Sequence, residues 1–107
     1  RRMHDHRLAH NSLHPKHVFV RLVENSYPEV RFIDLEKMRY SVTSRQAARR
    51  DLDSLNRRGK FWSKADRLRF LKSYLGTKVL NAEGKSFWKY LARRKIRFKQ
   101  KESAGVD

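Results

Sequence analysis

No cysteine occurs anywhere in the chain, which removes disulfides, zinc–thiolate sites and thiol catalysis from consideration. The absence also fits a reducing compartment. No apolar run is long enough to span a membrane, and no secretory signal pattern opens the sequence. There is no internal repeat and no low-complexity stretch. Acidic side chains are scarce: 11 Asp plus Glu stand against 27 Lys plus Arg, a formal net charge of +16. Such an excess repels itself and attracts polyanions, whether nucleic acid, anionic lipid or phosphorylated sugar, and it says nothing about fold. A total of 107 residues suffices for one small domain and not for two.

What is present is organised around His10 to Asp34, HNSLHPKHVFVRLVENSYPEVRFID. Val18, Val20 and Leu22 alternate with Phe19, Arg21 and Val23, and Val30, Phe32 and Ile33 form a second β-rich run. Between them Glu24-Asn25-Ser26-Tyr27-Pro28 has turn chemistry. Two strands joined in this way form a hairpin whose ends lie side by side, bringing the loop from His10 to His17 close to Asp34. Titratable groups held together by a rigid ribbon are suited to a catalytic or ligand site. Taken singly, His10 reads as a residue that hydrogen-bonds backbone to hold the loop and His17 as a partly buried strand residue.

A histidine-led loop, a strand, a turn and a strand ending in aspartate resembles the catalytic segment of protein-kinase-like enzymes, H-x-D-x-x-x-x-N followed by D-F-G. The wording HNSLHPKHVFV and, later, RFIDLEKMR is more similar to the lipopolysaccharide core heptose kinase family (the WaaP/InaA group). In that family the loop ends in histidine and an Asp-Leu dipeptide replaces the start of D-F-G. The similarity runs from about Leu8 to Leu75.

The resemblance implies an α+β, mainly helical fold: a protein-kinase-like C-lobe piece in which a short β-hairpin carries the catalytic loop and about three helices follow. It implies ATP and Mg²⁺ as cofactors and a lipopolysaccharide core sugar as acceptor. It puts Ser12 at the proton-accepting position, His17 at the metal side of the loop, Asp34 between metal and nucleotide phosphates, and His14 near the transferred phosphate. Ser12 is a departure, because a neutral hydroxyl cannot act as a general base near neutral pH. His10 or His14 then substitutes, or the site binds nucleotide without efficient transfer. Mg²⁺ prefers oxygen, so His17 is expected to act through water. Zinc held by His10, His14 and His17 is a lesser alternative with no evident fourth ligand.

Upstream, His4-Asp5-His6 reads as a solvated helix end. Downstream, Ser44 is the expected N-cap of a helix with Ala48, Leu52 and Leu55 on its apolar face and Gly59 at its end. Its other faces carry Arg45, Arg49, Arg50, Arg57 and Arg58, with Asp51 and Asp53 offsetting part of that charge. Ser63 and Asp66 form a capping-box start, and Ala65, Leu68, Leu71 and Leu75 an apolar face stopped by Gly76. A third helix starts at Asn81, with Phe87, Trp88 and Leu91 as its buried candidates. Its basic–aromatic continuation offers Lys89, Arg93, Arg94, Lys95, Arg97 and Lys99 as an anion or membrane surface.

The chain is expected to be a single domain over 1–107, with residues 102–107 as a frayed tail. The nucleotide-cradling elements of a complete kinase precede the catalytic loop, and that loop begins here at His10. The expectation is therefore a C-terminal part of a longer enzyme, missing its N-terminal lobe and inactive alone, whose whole protein is a cytoplasmic kinase, peripheral on the inner face of a bacterial inner membrane. The competing readings are a catalytically weak nucleotide-binding relative and a basic helical module for nucleic acid.

Overall fold

The computed structural model describes residues 1–103, so the rest of the tail expected over 102–107 lies outside the described residues. The chain opens on a one-turn helix α1 (Arg2–Asp5) and a two-residue strand β1 (Leu8–Ala9). The ribbon follows as β2 (Val18–Arg21) and β3 (Glu29–Phe32), then a second short strand β4 (Arg39–Tyr40) and three helices, α2 (Ser44–Arg58), α3 (Lys64–Leu75) and α4 (Ala82–Ser103). The fold is thus α+β and mainly helical, with three helices after the hairpin.

β2 and β3 pair antiparallel with Val18 opposite Phe32 and Arg21 opposite Glu29. The turn between them places Asn25 in the left-handed region (φ 59°), which asparagine tolerates better than most residues, and the Ser26 N–H donates to the Val23 carbonyl. β1 pairs with β4, Leu8 opposite Tyr40, so a second two-stranded sheet closes the base of the ribbon. The run from Arg39 to Thr43 is therefore a strand and a short connection into α2.

α2 is the central helix. Its N-cap is Thr43, one residue before the expected Ser44: the Thr43 hydroxyl accepts from the Gln46 N–H, and the Gln46 side chain accepts from the Val42 N–H. Ala48, Leu52 and Leu55 are buried as their spacing predicts. The core is small, with Leu52, Leu71 and Leu91 from α2, α3 and α4 meeting under Tyr74, Leu75, Leu80, Phe87, Trp88 and Tyr90. α3 has the expected Ser63–Asp66 capping box and ends on Gly76 in the left-handed region, while α4 is capped by Asn81, whose side chain accepts from the Gly84 N–H.

Arg67 ties the α2–α3 turn together. It is buried, and its guanidinium donates to the Asn56 carbonyl at 2.7 Å, the Asn56 side-chain oxygen at 2.6 Å, the Trp62 carbonyl at 3.2 Å and the Gly59 carbonyl. Gly59 sits beneath the Trp62 ring, where an added Cβ would come within 2.5 Å of Cε3. Gly59→Ala is expected to lower stability by about 1–3 kcal/mol, read as a shifted urea midpoint at constant slope.

Candidate active site

The loop from His10 to His17 is gripped from below by α2. Asp51, fully buried, accepts the His10 backbone N–H at 2.7 Å and the Asn11 backbone N–H at 2.9 Å. Arg50 donates to the Asn11 side-chain oxygen at 2.9 Å, and the Ser54 hydroxyl donates to the Leu13 carbonyl at 2.8 Å. Ser12, partly exposed, is thereby carried on a segment fixed on both sides. The loop then makes a single 3-10 turn, Pro15–His17, and enters β2.

His10 is 0 % exposed, and its Nε2–H donates to the Ile33 carbonyl at 2.8 Å. The Ile33 N–H donates in turn to the His17 carbonyl at 3.0 Å. Both backbone groups of the residue before Asp34 are therefore tied to the loop. Asp34 follows in the left-handed region (φ 61°, ψ 57°), which an aspartate accepts at less cost than a branched residue. Its carboxylate, with the side chain 48 % exposed, comes within 3.4 Å of His17 Nε2. The His17 ring is buried, stacked on His10 with centroids 5.3 Å apart and met edge-on by His14 at 6.0 Å. Loop and strand-end carboxylate thus converge.

The imidazoles differ in what they can offer. His10 has one nitrogen committed as donor to a backbone carbonyl, and Nδ1 is buried without a partner, so proton exchange with a substrate is closed to it. In place of the expected substitute base, the ring is a brace. The His14 Nδ1 accepts the Lys16 backbone N–H at 3.1 Å and caps the 3-10 turn. Desolvation, then the positive charges of Lys16 and Arg58 and the neighbouring His17 and Lys60, hold the His14 pKa below the usual 6.5. The ring is therefore neutral at pH 7 with its proton on Nε2, and it presents a donor, not a base.

The sign of the His14 shift sets a pH window. A depressed pKa means that the folded state binds the proton less well than the unfolded chain. The contribution to stability is complete above about pH 6.5 and is lost as pH falls through the lowered value. Imidazole NMR titration is expected to give His14 a midpoint below 6.5, and a midpoint at or above it would contradict the capped geometry.

The zinc alternative fails on this arrangement. Stacked His10 and His17 rings cannot aim lone pairs at one ion, and among the described residues no group of three or more His, Asp or Glu side chains could hold a metal. A hard cation that takes one or two protein carboxylates and fills its remaining positions with water and phosphate oxygens is a different case, and the half-exposed Asp34 carboxylate suits it.

Sequence reasoning missed what holds the loop. Asp51 reads in the sequence as a counter-charge on an arginine-rich helix, yet it is the buried anchor of the site. The signal was its position, one turn after Ala47 and Ala48 and one before Leu55, on the apolar stripe. His4 is also not solvated. It is buried, with Nε2–H donating to the Asp51 carboxylate at 2.6 Å and Nδ1 accepting from the Tyr74 hydroxyl at 2.6 Å. Burial pushes the Tyr74 hydroxyl up to about 12, which keeps it a donor. The six basic residues of α4 do not form one face. Lys89, Arg93, Arg97 and Lys99 are exposed, Lys95 is half-buried, and Arg94 pairs with the buried Asp53 at 3.3 Å.

Fold and site together define an α+β protein whose chemistry-bearing side chains sit on a two-stranded ribbon braced by a central helix. The model of the lipopolysaccharide kinase (Kdo/WaaP) family matches residues 1–74, which hold the ribbon, α2 and nearly all of α3, and the chain belongs to that family. No curated protein and no solved structure matches the chain.

Proposed function

We propose that the chain is the C-lobe part of an ATP-dependent kinase that phosphorylates a heptose of the lipopolysaccharide inner core. The observation that supports this most is the meeting of His17 and Asp34 at the ribbon end, beside a loop anchored by Asp51. In this reading the Asp34 carboxylate would hold Mg²⁺. His17, whose Nε2 lies 3.4 Å from the Asp34 carboxylate, would help to position it, with no direct bond to the ion. The bound magnesium nucleotide supplies the phosphoryl group and spreads its charge. His14 offers an Nε2–H donor to phosphate oxygen, and Ser12 orients the acceptor hydroxyl. His10 holds Ile33, and so Asp34, in place.

None of these groups is a strong proton acceptor. A loose phosphoryl-transfer transition state asks chiefly for position and charge stabilisation, so transfer can proceed without one, slowly. This favours the neighbouring reading of a weak kinase whose nucleotide site is intact. Ser12→Asp in the whole protein decides the matter. A carboxylate there should raise the rate of transfer from ATP to lipopolysaccharide core by about 10²-fold or more. An unchanged or reduced rate would remove the kinase assignment for this loop, and a variant active where the native protein is silent would establish the weak relative.

No helix among the described residues is long and apolar enough to cross a membrane. In the proposed role the protein works on the cytoplasmic face of the inner membrane, where the exposed Lys89, Arg93 and Arg97, one helical turn apart along α4, face anionic lipid.

A further inference from the structure

A cavity of about 420 Å³ lies between the N-terminal half of α2 and the middle of α4, lined by Arg45, Arg49, Arg50, Asp53, Tyr90 and Arg94, with Thr43 and Gln46 at the helix start. Four guanidinium groups face one carboxylate there. That carboxylate is already committed: Asp53 is buried and bridges Arg57 at 3.4 Å and Arg94 at 3.3 Å. Arg45 is met by Glu83 at the surface. Arg49 and Arg50 have no carboxylate partner among the described residues. Arg49 is half-buried over the Tyr90 ring, 5.1 Å from its centroid, and its Nε is buried without a hydrogen-bond acceptor.

Leaving the Arg49 Nε buried with no acceptor costs stability, and the planar fork is the side chain best matched to phosphate or carboxylate. Arg50, which lines the cavity, links it to the candidate loop by donating to the side-chain oxygen of Asn11, the neighbour of Ser12. Asp34 and His17 stand at the opposite end of that loop. One end therefore serves the phosphoryl donor and leaves the other for whatever receives it.

We infer that this arginine cavity binds an anionic group, phosphate or carboxylate, of the saccharide acceptor and sets the acceptor hydroxyl at Ser12. The inference rests on the proposed kinase role and adds the place where the acceptor's anion is held. A volume of about 420 Å³ lies in the range of small-ligand sites and admits one or two sugar rings with the anion.

The test is steady-state kinetics of the whole protein with ATP and deacylated lipopolysaccharide core oligosaccharide. Arg49→Gln should raise the oligosaccharide KM by about 10- to 100-fold while the KM for ATP holds. Arg49→Lys, which keeps charge and loses the fork, should fall between. An unchanged oligosaccharide KM, or a raised KM for ATP, overturns the assignment. If no protein turns over, so that the kinase role itself fails, calorimetric titration of the same oligosaccharide still decides the cavity. Binding by the native protein that is lost in a folded Arg49→Gln variant supports it, and equal binding overturns it. Removing phosphate from the oligosaccharide enzymatically, or reducing its carboxyl groups, identifies which anion is held. Affinity unmoved by both treatments again overturns the inference.

Discussion

Asp51→Ala is expected to lower the melting temperature by about 15 °C or more, the largest stability effect of any single substitution considered for this chain. The carboxylate is fully buried and receives two backbone N–H groups and the His4 imidazole. Alanine leaves those three donors buried with no acceptor, at a cost of about 1–3 kcal/mol for each one that stays unpaired. Breaking a buried charged contact by deleting one partner costs about 3–5 kcal/mol in total, a large share of the ~5–15 kcal/mol that holds a small domain folded. Asp51→Asn keeps the shape and one acceptor oxygen but turns an NH₂ toward a donor, so its loss should be smaller yet still clear. Thermal unfolding by circular dichroism measures both. A melting temperature for Asp51→Ala within about 2 °C of the native value would mean that the loop is held by something else.

The second large effect concerns chemistry without stability. Asp34→Asn is expected to reduce phosphoryl transfer by about 10³-fold or more while leaving the fold intact. The side chain is half-exposed and, among the described residues, its one ion-pair-range neighbour is the His17 imidazole at 3.4 Å, so little packing depends on it. Asparagine also tolerates the left-handed backbone at this position, which keeps the substitution from straining the strand end. What is lost is the negative charge at the end of the ribbon. Asp34→Ala should match it in activity and lose slightly more stability, because alanine is poorer in that conformation. Rates of label transfer from ATP, read beside unfolding curves for the same proteins, separate the two effects. A folded Asp34→Asn protein with native rates would take Asp34 out of the reaction.

How much of this was legible in the chain depends on the length scale of each signal. The ribbon was, because period-two alternation and a polar proline-containing turn fix both pairing and the meeting of Asp34 with the histidine loop. The face of α2 was, because Ala48, Leu52 and Leu55 recur at helical spacing, whereas on α3 the same spacing includes Ala65, which is exposed. The β1–β4 pair was not, since two residues carry no period and their pairing spans some thirty positions. Thr43 and Ser44 are equal candidates for a cap, and only the hydroxyl that meets the Gln46 N–H decides between them.

Charge misled most. Composition cannot distinguish a counter-charge from an anchor, and Asp51, Asp53 and Arg67 all look like surface residues until burial is known. Asp53 neutralises Arg57 and Arg94, and Arg67 serves backbone carbonyls, so part of the basic excess is structural. The histidines misled in a related way. Three imidazoles in eight residues suggest proton chemistry, whereas a carbonyl fixes the His10 ring, a backbone N–H fixes the His14 ring, and the His17 ring lies beside a carboxylate.

The claim on which the account turns is that a metal–phosphate complex is held at the end of the ribbon. Mn²⁺ with ADP, added to the isotopically labelled whole protein, tests it most directly, because the paramagnetic ion broadens NMR signals near it. The account predicts that Asp34, His17 and the loop around Ser12 broaden first and together, and that Asp34→Asn abolishes the effect. Broadening confined to other carboxylates, or unchanged in the Asp34→Asn protein, would contradict it.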